Sequence, residues 1–347
     1  MKDAKLVAKQ KIEIFDNPIP EIANPTDVLI RVKSVGVCGS DVHYFSKGQI
    51  GSQVVKFPFT VGHEGAGEVV AVGSAVKRVK PGDRIAIEPA MPCFGCDQCL
   101  AGRENTCRKL KFLGCPGQAE GCFRDYLIMP ETSCYPIPDH VSFDEAALSE
   151  PLAIGVYAVK QSIPMKGKTI GIFGSGPIGF SVMLPALAQG AEKIYMTDKI
   201  DGRLKLAAAH GATWTGNPDK IDVVEEIKKE EPLLLDCIFE CCGEQEAMDQ
   251  AIELLKPGGK LMLIGIPPVA ERVSFKIDYL RRKEICIQNV RRQNHSCQDA
   301  LDMIARGDFD VKFMATHHYD ITQLQQAMEL VENYEDGVLK AMISFDN

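Results

Sequence analysis

The sequence predicts an α/β protein with two domains, one mostly β and one built on a doubly wound parallel sheet. Short β-rich runs separated by proline and glycine fill the first part of the chain, at residues 27–38, 64–76 and 83–89. From residue 168 to about residue 285, apolar strands alternate with helical segments. This alternation is typical of right-handed βαβ units, so we expect the parallel sheet there.

Strands and helices can be assigned one after another within residues 168 to about 285. The strand KTIGIF leads into the helix PIGFSVMLPALAQG, and the strand KIYMTD leads into the helix RLKLAAAHG. Further strands are predicted at DCIFECCG and KLMLIG. Beyond residue 290 we expect the helix SCQDALDMIARG and the terminal strand LKAMISF to rejoin the first domain. The predicted domains are therefore residues 1–152 with 290–347, and residues 153–289.

Composition favours a small-molecule enzyme. The chain has 347 residues, of which 45% are hydrophobic, enough for two buried cores. Its formal net charge of -8 gives no general attraction to nucleic acid or to acidic membranes. The first residues, MKDAKLVAKQ, do not resemble a signal peptide, and no apolar run reaches the roughly 18 residues that span a bilayer. We therefore expect a cytoplasmic protein without nucleic-acid or membrane partners.

Four cysteines follow one another at a spacing that is typical of a structural zinc site. The segment PCFGCDQCLAGRENTC has the pattern Cys-x2-Cys-x2-Cys-x7-Cys, and four thiolates can close a tetrahedral zinc site. Two disulfides are the alternative, but they require an oxidising compartment. We expect zinc on four residues: Cys93, Cys96, Cys99 and Cys107.

A glycine-rich turn indicates a dinucleotide site. The motif GxGxxG lies between a predicted strand and a predicted helix, where glycines permit a tight turn and the helix N-terminus receives a pyrophosphate. Asp198 ends the next strand, and its carboxylate would bind the ribose hydroxyls and repel a 2′-phosphate, which favours NAD over NADP. Arg203 leaves NADP open, because an arginine can hold a phosphate. The turn residues are Gly174, Gly176, Pro177, Ile178 and Gly179.

A second metal site is predicted from residues upstream. Cys38, His63, Glu64 and Glu150 are all of types that ligate zinc, and three protein ligands plus a water define an open, catalytic site. Each is weak evidence alone, since a lone cysteine is more often a small buried apolar residue. Their occurrence with a cysteine lobe and a nucleotide motif favours a catalytic zinc.

These motifs together resemble the zinc-dependent medium-chain dehydrogenases, and the match covers nearly the whole chain. Within that family the strings CGSDVHYF, GHEGAG and SEPLAIGV are most similar to the polyol (sorbitol) dehydrogenases. The resemblance implies a GroES-like catalytic domain, a Rossmann domain, two zinc ions per chain and NAD. It implies that Cys38, His63 and Glu64 bind the catalytic zinc and that Glu150 binds it directly or through water. The family pattern GHExxGxV is carried by Gly62, His63, Glu64, Gly67 and Val69.

The resemblance also implies roles for side chains near the metal. Ser40 and His43 would pass the alcohol proton to solvent, although Ser40 capping a turn and His43 bonding backbone are structural alternatives. Arg292 stands where polyol dehydrogenases commonly carry an aromatic residue, and a second guanidinium could accept a sugar acid or sugar phosphate. The implied substrate contacts are Tyr44, Phe112, Glu150 and Arg291.

The predicted function is NAD-dependent oxidation of a secondary alcohol of a polyol to a ketose. The alternatives on the same scaffold are a threonine-type amino alcohol, a sugar acid or a sugar phosphate, and outside the enzyme class a non-catalytic relic of the fold. By resemblance we expect a homo-oligomer, a tetramer or dimer, in which residues 272–290 extend the sheet across a two-fold axis.

Overall fold

Two sheets dominate the structure, a computed structural model that describes residues 1–267 and 272–345. Residues 268–271 and 346–347, which the predicted domain ranges include, lie outside the described residues. The chain divides into two units, here called the outer-chain unit (Met1–Glu150 with Cys297–Asn347) and the middle unit (Pro151–Ser296).

The strands are β1 Lys2–Ala8, β2 Lys11–Asp16, β3 Asp27–Gly36, β4 Gln49–Ile50, β5 Gln53–Val54, β6 Glu64–Val72, β7 Arg84–Ile87, β8 Ala90–Met91, β9 Lys111–Phe112, β10 Tyr126–Pro130, β11 Cys134–Pro136, β12 Thr169–Phe173, β13 Lys193–Thr197, β14 Trp214–Gly216, β15 Leu235–Glu240, β16 Leu255–Leu263, β17 Cys286–Asn289, β18 Ala315–Asp320 and β19 Lys340–Ser344. The α-helices are α1 Gly39–Lys47, α2 Asp97–Leu100, α3 Phe143–Gln161, α4 Pro177–Ala188, α5 Asp201–Ala209, α6 Val223–Glu230, α7 Gln245–Leu254, α8 Ile277–Lys283, α9 Cys297–Arg306 and α10 Leu324–Asn333. None of the described helices is long and apolar enough to cross a bilayer.

The outer-chain unit is built on a mostly antiparallel sheet. Its strand order is β11-β7-β6-β3-β19-β18, with β10 also pairing with β3. Side chains that alternate along β3, such as Val28, Ile30 and Val32, are fully buried and fill one core, as expected for a strand with period-2 apolar residues. The last strand, β19, pairs with β3, so the two ends of the chain share one sheet.

Strand β6 ends earlier than the β-rich run 64–76 suggests. It stops at Val72, and the next residue turns toward a preceding loop. The Gly73 N–H donates to Asp27 O, and a Cβ at Gly73 would lie only 2.4 Å from Pro25 O. The close approach of these two backbone segments draws residues 73–76 out of the sheet.

The middle unit has a six-stranded parallel sheet. Its order, β14-β13-β12-β15-β16-β17, reverses between β12 and β15, which is the doubly wound arrangement whose switch point binds dinucleotides. Helix α4 follows β12 and is apolar on all sides, so it is buried rather than amphipathic. The predicted α/β class with a doubly wound parallel sheet is confirmed.

Candidate metal centres and nucleotide site

The four cysteines of the predicted zinc lobe converge on one point. Their Sγ atoms lie 3.5 Å apart for Cys93 and Cys107, 3.6 Å for Cys96 and Cys99, and 3.9 Å for Cys96 and Cys107. A tetrahedron of thiolates about 2.3 Å from zinc has edges of about 3.8 Å, whereas a disulfide would need about 2.05 Å. All four thiols are free. The geometry therefore fits zinc and not two disulfides.

Backbone N–H groups in this lobe donate hydrogen bonds to the cysteine sulfurs, and such bonds stabilise the thiolate form that binds a cation. Two N–H groups, of Cys93 and Lys109, each donate to Cys107 Sγ at 3.3 Å. Hydrogen bonds from the backbone at Cys99 and at Arg108 lower the pKa of Cys96 to about 6, whereas burial raises the pKa of Cys99 to about 12. A metal that binds here must therefore displace a proton from Cys99.

A second group of candidate ligands lies in the same unit. One ligand atom from each of Cys38, His63 and Glu64 lies within 4.8 Å of the others. The register of the sheet brings them together, because Gly36 at the end of β3 pairs with Glu64 at the start of β6. A Cβ at Gly36 would lie 2.3 Å from Glu64 Oε2, so only glycine leaves room for this carboxylate. A thiol, an imidazole and a carboxylate form a donor set suited to zinc.

Asp41 supports this group, although none of the sequence motifs singled it out as a site residue. The buried carboxylate accepts from the N–H of Cys38 at 3.1 Å and from the N–H of Gly62 at 2.9 Å. Its Oδ1 lies 3.4 Å from His63 Nδ1. Burial alone would lower the pKa of His63, but Asp41 and Cys38 outweigh it and raise that pKa well above its ordinary value. A carboxylate at this place orients the ring of a ligating histidine.

The Glu64 carboxylate is already engaged by a cation. Its Oε1 and Oε2 accept hydrogen bonds from Lys340 Nζ at 2.8 and 2.7 Å. Both side chains are buried. No sequence motif singled out Lys340 either, although a lysine in the apolar terminal strand LKAMISF is an unusual residue for a buried strand.

Glu150 is buried beside this group but outside it. It is not one of the residues whose ligand atoms lie within 4.8 Å of one another. Burial raises its pKa to about 8; the charges of Glu64 and Glu88 act in the same direction, while those of His63 and Lys340 oppose it. At neutral pH and without metal, this carboxyl group is therefore largely protonated.

Changing Glu150 to Gln should remove a pH dependence of stability in the zinc-free protein. A folded-state pKa of about 8, against about 4.3 in the unfolded chain, means that only the unfolded state releases this proton between those values. The free energy of unfolding therefore falls with rising pH across this window, by up to about 1.4 kcal/mol per pH unit. Urea unfolding at pH 5.5 and 7.5 measures it. The exposed Glu13, changed to Gln, is the control, and an equal slope in both variants would contradict this role of Glu150.

Two predicted proton-relay residues lie on the first turns of α1. The Ser40 hydroxyl donates to Cys38 Sγ at 3.4 Å, so it contacts a candidate ligand directly. His43 is half-buried, and burial followed by the charge of Lys47 lowers its pKa. Within residues 1–267 and 272–345 no hydrogen bond joins its imidazole to the backbone.

Two of the predicted substrate contacts, Phe112 and Tyr44, lie in the outer-chain unit. The Phe112 ring lies 5.4 Å from the His63 ring, centroid to centroid. The Tyr44 hydroxyl is buried and donates to Gln53 Oε1 at 2.9 Å. Arg291 and Arg292 belong to the middle unit; Arg291 is exposed, and Arg292 has a left-handed φ of 51°.

The nucleotide motif forms the turn between β12 and α4. Gly174 has a φ of 100°, and a Cβ at Gly179 would lie 2.0 Å from Gly174 O, so both positions require glycine. Helix α4 starts with Pro177 after the cap residue Gly176. Its N-terminus therefore carries unpaired N–H groups that can bind a pyrophosphate. Ile178, the remaining turn residue, follows Pro177 in the first turn of α4.

Asp198 and Arg203 lie beside this turn. The Asp198 carboxylate accepts from the N–H of Ser175 at 2.7 Å and from the N–H of Ile200 at 2.8 Å. Each oxygen keeps a lone pair that could accept from a ribose hydroxyl. Arg203 is buried, and its Nη1 lies 3.5 Å from where a Cβ of Gly176 would be. The residues present thus fit a dinucleotide.

Two family models match the chain. One, described as "Alcohol dehydrogenase GroES-like domain", matches residues 24–139, and the other, "Zinc-binding dehydrogenase", matches residues 177–306. Sorbitol dehydrogenase of Bacillus subtilis is 38% identical over 344 residues, which are 99% of this chain and 97% of the relative. A probable D-xylulose reductase A of Aspergillus fumigatus is 36% identical over 93% of this chain and 91% of the relative.

Three solved structures are similar to this chain over nearly its whole length. An Escherichia coli oxidoreductase of unknown specificity has a TM-score of 0.93 and 36% identity, covering 100% of this chain and 99% of that one. A putative zinc-binding dehydrogenase of Sinorhizobium meliloti bound to NADP has a TM-score of 0.91 and 30% identity, covering 99% of each chain. L-idonate 5-dehydrogenase of E. coli has a TM-score of 0.89 and 25% identity, covering 99% of this chain and 98% of that one.

Proposed function

Because the chain belongs to the zinc-dependent medium-chain dehydrogenases, close to the polyol dehydrogenases, we propose that it oxidises a secondary alcohol of a polyol to a ketose with NAD. The observation that carries this proposal is the convergence of Cys38, His63 and Glu64 within 4.8 Å in a chain that also has a dinucleotide fold. The same residues argue against a non-catalytic relic, which has no reason to keep an open metal site.

In this proposal the two metal groups have different roles. A zinc ion held by Cys38, His63 and Glu64, with Glu150 binding it directly or through water, would favour loss of the hydroxyl proton of the alcohol. Asp41 orients His63, and Ser40 and His43 pass the proton toward solvent. The cysteine lobe, with four protein ligands, has no position for a substrate and holds its loop in shape.

The cofactor is proposed to be NAD, bound at Gly174–Gly179 with its adenine ribose on Asp198. Changing Asp198 to Asn should lower the preference for NAD over NADP, the ratio of the two kcat/KM values, by about 10- to 100-fold. The amide keeps an oxygen for one backbone N–H but loses the charge that repels a 2′-phosphate. Initial rates with each cofactor measure the ratio. A wild-type preference for NADP would contradict this assignment. The exposed Asp219, changed to Asn, is the control.

The substrate class rests on the relatives and on the polar groups near the metal. A sugar acid is the second candidate, because Arg291 and Arg292 follow one another and a related solved structure is an L-idonate 5-dehydrogenase. Sugar phosphates and threonine are the remaining alternatives. The test is a panel of polyols, aldonates, sugar phosphates and threonine, following absorbance of the reduced cofactor. Faster turnover of threonine or of any acid than of every polyol would contradict the proposal.

We also propose a homo-oligomer built on the middle unit. Strand β17 is the last in the order of its sheet, and the neighbouring Val273, Ile277 and Tyr279 are exposed apolar side chains. A second copy of the chain that pairs along β17 would cover this exposed strand edge and these three side chains. Light scattering should give at least a dimer, and changing Ile287 to Pro should lower the mass because proline cannot donate to a strand ladder. A wild-type monomer would contradict this proposal. The cytoplasmic location stays a prediction.

A further inference from the structure

We propose that Asn217 is a positioning residue of the nucleotide site, which holds the loop after Asp198 so that this carboxylate is presented to the adenine ribose in one orientation. This inference rests on the proposed dinucleotide site and deepens it by adding a residue outside the glycine-rich turn. It does not depend on which alcohol is oxidised.

Asn217 and Asp198 directly follow two paired strands. Strand β14 pairs in parallel with β13, and one further bond, from the N–H of Asp198 to Gly216 O at 3.3 Å, continues the ladder. Pro218 is next along the chain and has no N–H with which to extend it. Backbone pairing therefore ends at Asp198, and the loop at residues 199–201 depends on other contacts.

The Asn217 side chain supplies such contacts. Its Nδ2 donates to the Lys199 carbonyl at 2.9 Å and to Asp201 Oδ1 at 2.8 Å. Its Oδ1 accepts from the N–H of Asp219 at 3.0 Å. These partners fix the orientation of the amide, because a carbonyl and a carboxylate bond to its nitrogen and an N–H bonds to its oxygen. Both amide hydrogens thus tie Asn217 to the loop that follows Asp198.

The same loop contacts the ribose-binding carboxylate. The N–H of Ile200, the residue between the two that Asn217 binds, donates to Asp198 Oδ1 at 2.8 Å. The other oxygen, Oδ2, accepts from the N–H of Ser175 in the glycine-rich turn at 2.7 Å. The carboxylate is therefore held at both oxygens, once by the turn and once by a loop that Asn217 anchors.

Burial makes the contacts of Asn217 difficult to replace with water. Asn217 is 6% exposed, and a buried polar group that loses its partner costs more free energy than an exposed one. The loop offers little packing of its own, since Lys199 and Asp201 are both exposed. Asn217 is therefore a buried anchor for a largely exposed loop.

The alternative is that Asn217 only shapes its own turn. Its bond to the N–H of Asp219, two residues further on, is an Asx turn, which needs the side-chain oxygen alone. Asn217→Asp keeps that oxygen and removes both donated bonds, so it separates the two interpretations. Asn217→Ala removes all three bonds without adding a charge.

The test is the affinity of ADP-ribose, the cofactor without its nicotinamide, measured by calorimetry. We expect Asn217→Asp and Asn217→Ala each to weaken binding about 5- to 20-fold. The KM for NAD should rise by a similar factor while kcat stays within about twofold of the wild type. In the cofactor-free protein, the amide hydrogens of residues 199–203 should exchange with deuterium at least about fivefold faster. Wild-type affinity and exchange in Asn217→Asp would overturn the proposal.

Thr213→Val is the matched control. The Thr213 hydroxyl accepts from the N–H of Ile194 at 2.9 Å, so this change also removes a bond from a side chain to the backbone of β13, but at the opposite end of the strand from Asp198. It should leave ADP-ribose affinity within about twofold of the wild type. Equal weakening by Thr213→Val and Asn217→Asp would show a general loss of stability and contradict the role of Asn217. A wild-type protein that binds no ADP-ribose would instead refute the dinucleotide site itself.

Discussion

Replacing Cys38 with Ala should lower the zinc content from two equivalents per chain to one and reduce kcat at least about 1,000-fold. Cys38 is the thiolate of the group formed with His63 and Glu64, and no other thiol belongs to that group among the described residues. A bound cation stabilises the negative charge of the reacting oxygen by several kcal/mol, and about 4 kcal/mol corresponds to a factor of 1,000 in rate. Metal analysis after dialysis and steady-state kinetics measure both effects.

The control for this variant is Cys134→Ala. Cys134 is also buried in the outer-chain unit but belongs to neither metal group, so zinc content and turnover should stay close to those of the wild type. Full turnover by Cys38→Ala, with two zinc equivalents retained, would show that the alcohol is not oxidised at this group. Loss of both metals would indicate that the whole unit had unfolded, which the thermal midpoint would reveal.

Changing Asp41 to Asn should weaken binding of the catalytic zinc about 10- to 100-fold while leaving the cysteine lobe loaded. Asp41 lies 3.4 Å from His63 Nδ1 and raises the pKa of that imidazole. Asparagine keeps one oxygen that can accept from the ring but removes the negative charge, so the ring is oriented less strongly. The pKa of His63 in the zinc-free protein should therefore fall, because burial, which lowers it, is then opposed less. Competition with a chelator measures the affinity, and NMR titration of the histidine ring measures the pKa.

Asp27→Asn is a matched control for Asp41. Asp27 is another buried carboxylate of the same unit that accepts from a backbone N–H, that of Asn24 at 3.0 Å, but it is outside the metal group. Its loss should affect stability and not zinc affinity. If Asp41→Asn binds zinc as tightly as the wild type and the His63 titration does not move, Asp41 has no role beyond capping α1.

Local patterns could be predicted from the sequence, and the structure gives their physical reason. The four cysteines of the lobe lie within one short segment, so their spacing alone brings the Sγ atoms to 3.5–3.9 Å. The glycine-rich turn is equally local, because strand, turn and helix are consecutive. The role of Asp41 could also have been predicted from the sequence. It is the third helical residue after the cap Cys38, which is the position of an acidic capping residue.

Long-range partners could not be predicted in this way. Lys340 and Glu64 are 276 positions apart, and they meet only because β19 inserts beside β3 while β6 pairs on the other side of β3. No spacing rule encodes such a strand order. The environment of Glu150 depends in the same way on His63, Glu88 and Lys340, so its raised pKa is a property of the folded unit.

The pairing of β19 with β3 also determines the order in which the two units can fold during translation. The middle unit, Pro151–Ser296, is continuous in the chain and can fold while the ribosome is still at work. The sheet that carries Cys38 and His63 stays incomplete until the last strand, Lys340–Ser344, has left the exit tunnel, and such non-local pairing is slow. Until then β3 lacks β19 as a partner strand, so a nascent chain truncated before β19 should be a good target for proteolysis.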